Sequence, residues 1–387
     1  MRFANYISLY KKSALSSDFN TTIALLRILA KMWPYWIMFL IPAILATQES
    51  RKLLHSHGRP VALAVPSGWL MMSVVFWVLI GLRYEVGGDW TNYLRNFKAV
   101  SRLDFGRVLF LDDPGYHLLE WFTHRAGWGI YGVNLLGAAI FVGGLFRFCK
   151  FLPRPWLALV AAVPYVIIVM GMGYTRQGIA LGFVMVGLVA FSEGRVLRFV
   201  IWIVIGATFH KTAVLMLPFA ALATSERRAF TALWVVALTA SAYFLLLADS
   251  VDILRRTYLD AKYESQGALI RLLMNGVPAV LFLTLRKDFE QILPGAQMWF
   301  WFSITSLVLL IILFISPSST AVDRIALYLL PLQLVIFSSL PNAQRSHHRH
   351  AVVVTLIIIY YAAVQLTWLN YAANSYAWIP YRWYPLS

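Results

Sequence analysis

The chain has 387 residues, 60% of them hydrophobic and only 13% charged. A soluble globular chain carries about 25% charged residues, so this composition excludes a water-soluble globular protein. The formal net charge of +16 comes from 33 basic and 17 acidic residues. Much of the excess falls in short breaks between apolar runs, where Lys and Arg act as topology signals, and this argues against a nucleic-acid surface.

In chain order, residues 1–32 read as a basic amphipathic segment (Arg2, Lys11, Lys12, Arg27, Lys31), with no small-residue cleavage site after an apolar stretch. A single transmembrane helical domain is expected over 33–387, with spans at 33–47, 61–82, 129–148, 155–172, 175–192, 229–248, 268–285, 297–316, 323–340 and 351–370. Runs of about 20 apolar residues match the hydrocarbon thickness. Lipid offers no partner for loose backbone groups, which leaves helices or a closed barrel. Period-2 alternation is missing, so the expected fold is an all-α polytopic membrane bundle of about 10–12 segments. Val196–Ala223 carries His210-Lys211 at its middle and Pro218 near its end, and it reads as a hairpin of two short segments.

Basic breaks set the expected orientation. Arg51-Lys52-Arg59, Arg147-Lys150-Arg154, Arg195-Arg198, Arg227-Arg228, Arg286-Lys287 and Arg345–His350 fall on one side, expected to be cytoplasmic. The opposite, outer side then collects the loop 83–128, Gly171–Arg176, the His210 tip, the loop 249–267, Ser316–Arg324 and the tail after Tyr371. The amino-terminal segment resists this scheme: its charges favour the cytoplasm and the span count puts it outside. Either it lies flat on a membrane surface, or 33–47 does not span fully.

Ionisable groups within apolar segments mark functional sites or buried pairs. Arg176 and Gln177 follow a Gly171-Met172-Gly173 break and open the next helix. There a guanidinium either holds a phosphate or carboxylate or snorkels to the headgroups. Arg271, with Asn275 one turn later on the same face, invites the same two readings. His210, beside Lys211, is a candidate base or a hydrogen-bonded structural residue. Asp323-Arg324 opens a span, where the plainer reading is an acidic cap with an interfacial Arg. The richest loop is Arg83-Tyr84-Glu85-Val86-Gly87-Gly88-Asp89-Trp90-Thr91-Asn92-Tyr93. Its aromatic rings beside carboxylates and amides suit carbohydrate, and an interfacial aromatic belt is the alternative. Asp113 ahead of Pro114 reads as a helix N-cap. Walker-type loops, Rossmann glycines, His-Glu-x-x-His and Asp-x-Asp spacing are all missing. The single cysteine, Cys149, excludes an intrachain disulfide.

In this order and spacing, several segments resemble one family. They are Arg83 with Val86-Gly87-Gly88-Asp89-Trp90 and Tyr93; Pro114-Gly115-Tyr116; Thr175-Arg176-Gln177-Gly178-Ile179-Ala180; and Thr208-Phe209-His210-Lys211-Thr212-Ala213. Gly267-Ala268-Leu269-Ile270-Arg271, Asp323-Arg324 and Trp378-Ile379-Pro380-Tyr381 complete the set. The chain resembles the Wzy-type polysaccharide polymerases, in the group named after EpsG, over about 33–387. The resemblance implies an architecture like that of lipid-linked, GT-C-like glycosyltransferases. It also implies joining of undecaprenyl-diphosphate-linked repeat units on the periplasmic face of a bacterial inner membrane, with no metal or nucleotide cofactor. Donor and acceptor glycan lipids, the bilayer, a chain-length regulator and a flippase are the implied partners. His210, Asp89 and Arg176 are the catalytic candidates. Arg83, Tyr84, Trp90, Tyr93, Gln177, Lys211, Arg271, Asp323 and Arg324 are the substrate-binding candidates, with ordering of the outer loop as the other role open to Arg83, Tyr84, Trp90 and Tyr93. A polysaccharide ligase and a lipid-linked sugar flippase stand as alternatives.

Overall fold

The computed structural model describes residues 31–50, 68–223, 267–316, 318–343 and 347–386. The expectations for residues 1–30, for the span 229–248, for the loop 249–266 and for the basic breaks at 51–59, 227–228 and Arg345 lie outside the described residues.

Among the described residues, helices are the only regular structure beyond one isolated bridge. Residues 31–50 form α1, followed by α2 (Trp69–Gly81), the loop helices α3 (Trp90–Val100) and α4 (Pro114–Arg125), and the long α5 (Gly129–Phe151). Next come α6 (Pro155–Gly171), α7 (Thr175–Ser192), α8 (Val196–Phe209) and the short α9 (Pro218–Ala223). The second part holds α10 (Ala268–Thr284), α11 (Arg286–Ile292), α12 (Ala296–Ile315), α13 (Ser319–Ala326), α14 (Pro331–Ser339) and α15 (His347–Tyr371).

Among the described residues, four helices are long and apolar enough to cross a membrane: α5, α7, α12 and the His350–Tyr371 part of α15. Two more arise if each bent pair is one span, α10 with α11 at 91° and Ser319–Leu329 with α14 at 44°. Trp69–Gly81, Pro155–Gly171, Val196–Phe209 and Lys211–Ala221 are apolar but shorter. The expected boundary of 175–192 coincides with α7, and 155–172 differs from α6 by one residue. The chain is an all-α polytopic membrane protein.

Burial sorts the helices by layer. Every residue of α6 and of α14 is buried, and these two pack on each other at the centre of the bundle. In α6 the second half widens into a π-helix, Val163–Gly171. Pro164 has no N–H to continue the α ladder, which is the local cause of the wider turn. At the periphery, α12 and α15 turn large apolar side chains outward, among them Ile311, Phe314, Leu356 and Ile359. Water would not tolerate such faces and lipid favours them.

The α5–α7–α8 layer is held by close backbone approach, as small residues permit in membranes. A Cβ on Gly144 of α5 would lie 2.1 Å from the carbonyl oxygen of Gly182 in α7, whereas one on the adjacent Gly143 would meet nothing within 4 Å. Gly144→Ala is therefore expected to lower stability by about 1–3 kcal/mol through overpacking. Gly143→Ala should leave the melting temperature of the purified protein unchanged, and equal losses in both variants would refute the packing argument.

The polar breaks separate into two ends. Contacts among the 83–93 loop, Met172-Gly173, Arg176, His210, Arg324 and the 374–386 tail gather one set. These are the breaks that the basic-loop pattern assigns to a common side. Arg154 hydrogen bonds Asn342 at 2.9 Å, and Gly295 lies against Ser192, so the basic breaks meet at the other end. Along α7 the two ends are roughly 25 Å apart.

Candidate active site

The loop helices set the floor of the first end. In α3 the buried stripe Tyr93, Phe97 and Val100 follows i, i+4, i+7 spacing, and in α4 the buried positions are Tyr116, His117, Glu120 and Thr123. Their packing sets the Tyr93 and Tyr116 rings 5.9 Å apart. The Arg176 guanidinium sits 6.0 Å from the first centroid and 5.9 Å from the second, the reach of a cation–π contact. Arg176 keeps 33% of its side chain open, more than any other paired cation in this cluster.

Asp113 ties three breaks together. Its φ of 55° is left-handed, a conformation that costs a non-glycine residue about 1–2 kcal/mol. It occupies the N-cap position of α4 but makes no capping hydrogen bond. The turn directs its carboxylate across the site instead: Oδ1 accepts from the backbone N–H of Lys211 at 2.9 Å, and Oδ2 pairs with Arg176 Nη1 at 3.2 Å. Burial pushes this carboxyl above the usual carboxylate range, while Arg176 and the Lys211 N–H hold it down. Lys211 Nζ pairs with Asp112 at 3.2 Å. Beneath, His117 Nδ1 lies 2.7 Å from Glu120, a fully buried carboxyl that burial raises and the histidine lowers.

His210 ends α8. Its extended backbone (φ −156°, ψ 108°) stops the helix, the chain re-enters as a 3-10 turn over Lys211–Met216, and α9 returns against α8. The hairpin expected from Pro218 and the His-Lys break is thus formed. Thr212 Oγ1 sits 2.6 Å from His210 Nδ1, and the Tyr328 hydroxyl is 3.3 Å from the same nitrogen. Burial first, and then the cations Arg176, Arg324 and Lys211, hold the imidazole below the usual histidine value. The ring therefore stays neutral through the physiological range.

Arg324 lies over the Tyr174 ring at 4.3 Å and exchanges hydrogen bonds with Gln177: Nη1 donates to Gln177 Oε1 at 3.3 Å, and Gln177 Nε2 donates to the Arg324 carbonyl at 2.9 Å. Arg271 is clamped by Asp323 through two bonds, of 2.6 and 2.8 Å. On the rim, Tyr84, Trp90 and Tyr131 cluster with centroids 6.1 to 6.5 Å apart. Tyr384 stacks on Tyr131 at 3.7 Å.

The 374–386 tail straps this end. Trp378 Nε1 donates to the Ile168 carbonyl within the π-helix at 2.8 Å, Gly87 N–H donates to Ala377 O, and Tyr35 donates to Trp378 O at 2.7 Å. Gly87 (φ 113°) passes so close that a Cβ would meet Met172 O at 2.6 Å, and one on Gly173 would meet the Trp378 ring at 2.4 Å. Gly87 of the loop pair is thus explained by its positive φ and by backbone approach.

The EpsG family model matches residues 69–383, from α2 through the tail strap. The chain belongs to the EpsG family. EpsG-like proteins are Wzy-type polymerases, so a polysaccharide polymerase role and a glycosyltransferase-like activity go with membership. No curated protein and no solved structure matches the chain.

Within this EpsG-family chain the residues singled out from sequence separate into groups. Arg176, Gln177, His210, Lys211 and Arg324 come together, with Tyr93 as part of the floor. Arg83 is 1% exposed and donates to Ile80 O, Asn134 and Thr175, so it fixes the loop to α5 and α7. Asp89 stands at the N-cap position of α3 without a capping bond. Tyr84 and Trp90 belong to the rim cluster. Asp323 is no helix cap, because α13 begins earlier, at Ser319, with Ser318 capping it. Asp113 does stand at the N-cap position ahead of Pro114, but its carboxylate bonds across the site instead of capping the helix. Sequence reasoning missed Asp113 as a ligand, Thr212 and Tyr328 on the histidine, the His117–Glu120 pair, and Tyr131 and Tyr384 in the rim. Thr212, two residues from His210, and the His117–Glu120 pair, at i,i+3 on one helix, had local signals.

Proposed function

We propose that the protein polymerises undecaprenyl-diphosphate-linked oligosaccharide repeat units at the periplasmic face of the bacterial inner membrane, moving the growing glycan onto the next lipid-linked unit. The observation that carries this reading is the meeting of Arg176, Arg324 and Lys211 with a neutral His210 at one end of an apolar bundle. In the proposed reaction an acceptor hydroxyl attacks the anomeric carbon of the donor glycan. The new glycosidic C–O bond forms as the C–O bond to the lipid diphosphate breaks, and the hydroxyl proton passes to His210. With Nδ1–H turned to Thr212, Nε2 is the accepting atom. Charge develops on the departing diphosphate, where fixed guanidinium groups stabilise it without reorganisation. Arg176 and Arg324 have that role, with Gln177 orienting Arg324, and Lys211 and Asp113 orient Arg176. Asp89, outside the ion-paired cluster, is the alternative base. The Arg271–Asp323 pair braces α13, which carries Arg324. The Tyr84–Trp90–Tyr131–Tyr384 rim offers ring faces for sugars. No metal enters the scheme. A flippase supplies the substrate class, and a chain-length regulator is the fitting partner.

The test is incubation of purified protein with lipid-linked repeat units of its source, without nucleotide or added metal, and resolution of products by size. A ladder of lipid-linked oligomers is the expected result. Intact substrate with folded protein and no ladder would refute the reading.

The neutral imidazole also gives a pH prediction. Because its value lies below the usual one, His210 remains an available base as pH falls through about 6.5, where an ordinary histidine would protonate. The rate should hold between roughly pH 6 and 8. A His210-dependent loss centred near 6.5, present in wild type and abolished in His210→Gln, would contradict this assignment.

A further inference from the structure

We propose that the opposite end of the bundle carries a binding site for the headgroup of an anionic phospholipid, in a groove between α5, α7 and α8. The groove is a cavity of about 510 Å³ rimmed by Arg147, Arg195 and Arg198 and walled by Val186, Ile201 and Trp202. That volume lies within the range of sites for ligands of drug size. It is independent of the polymerase reading, because Arg147 and Arg195 lie at the far ends of α5 and α7, roughly 25 Å from the Arg176 end.

Three features select the ligand. Charge comes first: of the three arginines, among the described residues, only Arg195 is paired, to Glu193 at 2.8 Å. Subtracting that carboxylate from three guanidinium groups leaves two positive charges around one opening. Shape comes second. Arg147, Arg195 and Arg198 gather at one end, and the apolar wall runs away from them along α8, so a polar head and an acyl chain fit in that order. The third is the setting of the mouth. On α8, Leu197, Ile201 and Val204 are 73%, 47% and 40% exposed, an apolar face that turns outward beside the groove. Such a face belongs against acyl chains, so the opening is lateral, from the leaflet. A free phosphate would use the arginines and leave the apolar wall without a function. Basic pockets between membrane helices are a known physical solution for anionic headgroups.

The experiment titrates the purified full chain, in zwitterionic detergent, with dioleoylphosphatidylglycerol, dioleoylphosphatidylcholine and glycerol 1-phosphate. Bound lipid is counted by native mass spectrometry and melting temperature is followed in parallel. The expected result is one phosphatidylglycerol retained per chain, with at least about tenfold preference over phosphatidylcholine. The triple variant R147Q/R195Q/R198Q should lose that preference. R147K/R195K/R198K, which keeps the charge, should retain most of it and shows that the groove still folds. Trp202→Ala should weaken phosphatidylglycerol binding with the arginines intact. Equal retention of both lipids, or undiminished phosphatidylglycerol binding by the triple Gln variant, would overturn the proposal. Competition by glycerol 1-phosphate at the same concentration as the lipid would overturn the lipid assignment in favour of a soluble phosphate site.

Discussion

Arg176→Ala is expected to cut the rate of chain growth by about 10²–10³-fold, the usual cost of removing one donor aimed at developing charge. The side chain is held on one side by Asp113 at 3.2 Å and on another by the Tyr93 and Tyr116 rings, while a third of it remains open. It is thus fixed in direction and still able to meet a diphosphate oxygen. Arg176→Lys keeps the charge but loses the planar fork, so an intermediate rate is expected. Folding should survive either change, because the Asp113 carboxylate keeps the backbone N–H of Lys211 as a partner at 2.9 Å. The measurement is the initial rate of ladder formation, with melting temperature as control. A full-rate Arg176→Ala protein would remove this residue from the proposed site.

Asp323→Ala is expected to destabilise the protein by about 3–5 kcal/mol. The aspartate and arginine side chains are 5% and 14% exposed, and two bonds join them. Removing the carboxylate leaves a guanidinium between α10 and α13 with its principal counter-charge gone. The double variant R271L/D323L removes both charges together and should recover most of the loss, since burying an ion pair and burying apolar groups are often close in free energy. The check is thermal unfolding in detergent. Equal instability of the single and double variants would show that shape, and not charge, is what the pair supplies there.

The spans were legible where an apolar run is bounded by polar residues on both sides. For α7, Tyr174-Thr175-Arg176 and Glu193-Gly194-Arg195 mark both ends. The grouping of the outer breaks was legible as well, because it rests on the distribution of basic residues and not on any single contact. The site's partnerships were not legible. Asp113 and Lys211 lie 98 positions apart, and Arg83 meets Thr175 across 92. Local rules carry such residues only part of the way: the Pro after Asp113 marks its N-cap position but not the partners of its carboxylate, and the loop around Arg83 left open whether it holds sugar or orders the loop. Tyr93 is a different case, since its spacing to Phe97 and Val100 already marks a buried stripe. The aromatic pattern of the loop outweighed that period.

The strap made by Trp378 has a consequence in time. A ribosome delivers Arg176 of α7 and His210 after α8 long before it reaches residue 378. The π-helix carbonyl that Trp378 satisfies and the loop that Ala377 anchors must wait for it. A nascent chain inserted up to α14 holds the charged groups without the clasp that fixes their frame. The contacts that hold the frame of this end are therefore among the last that synthesis permits to form.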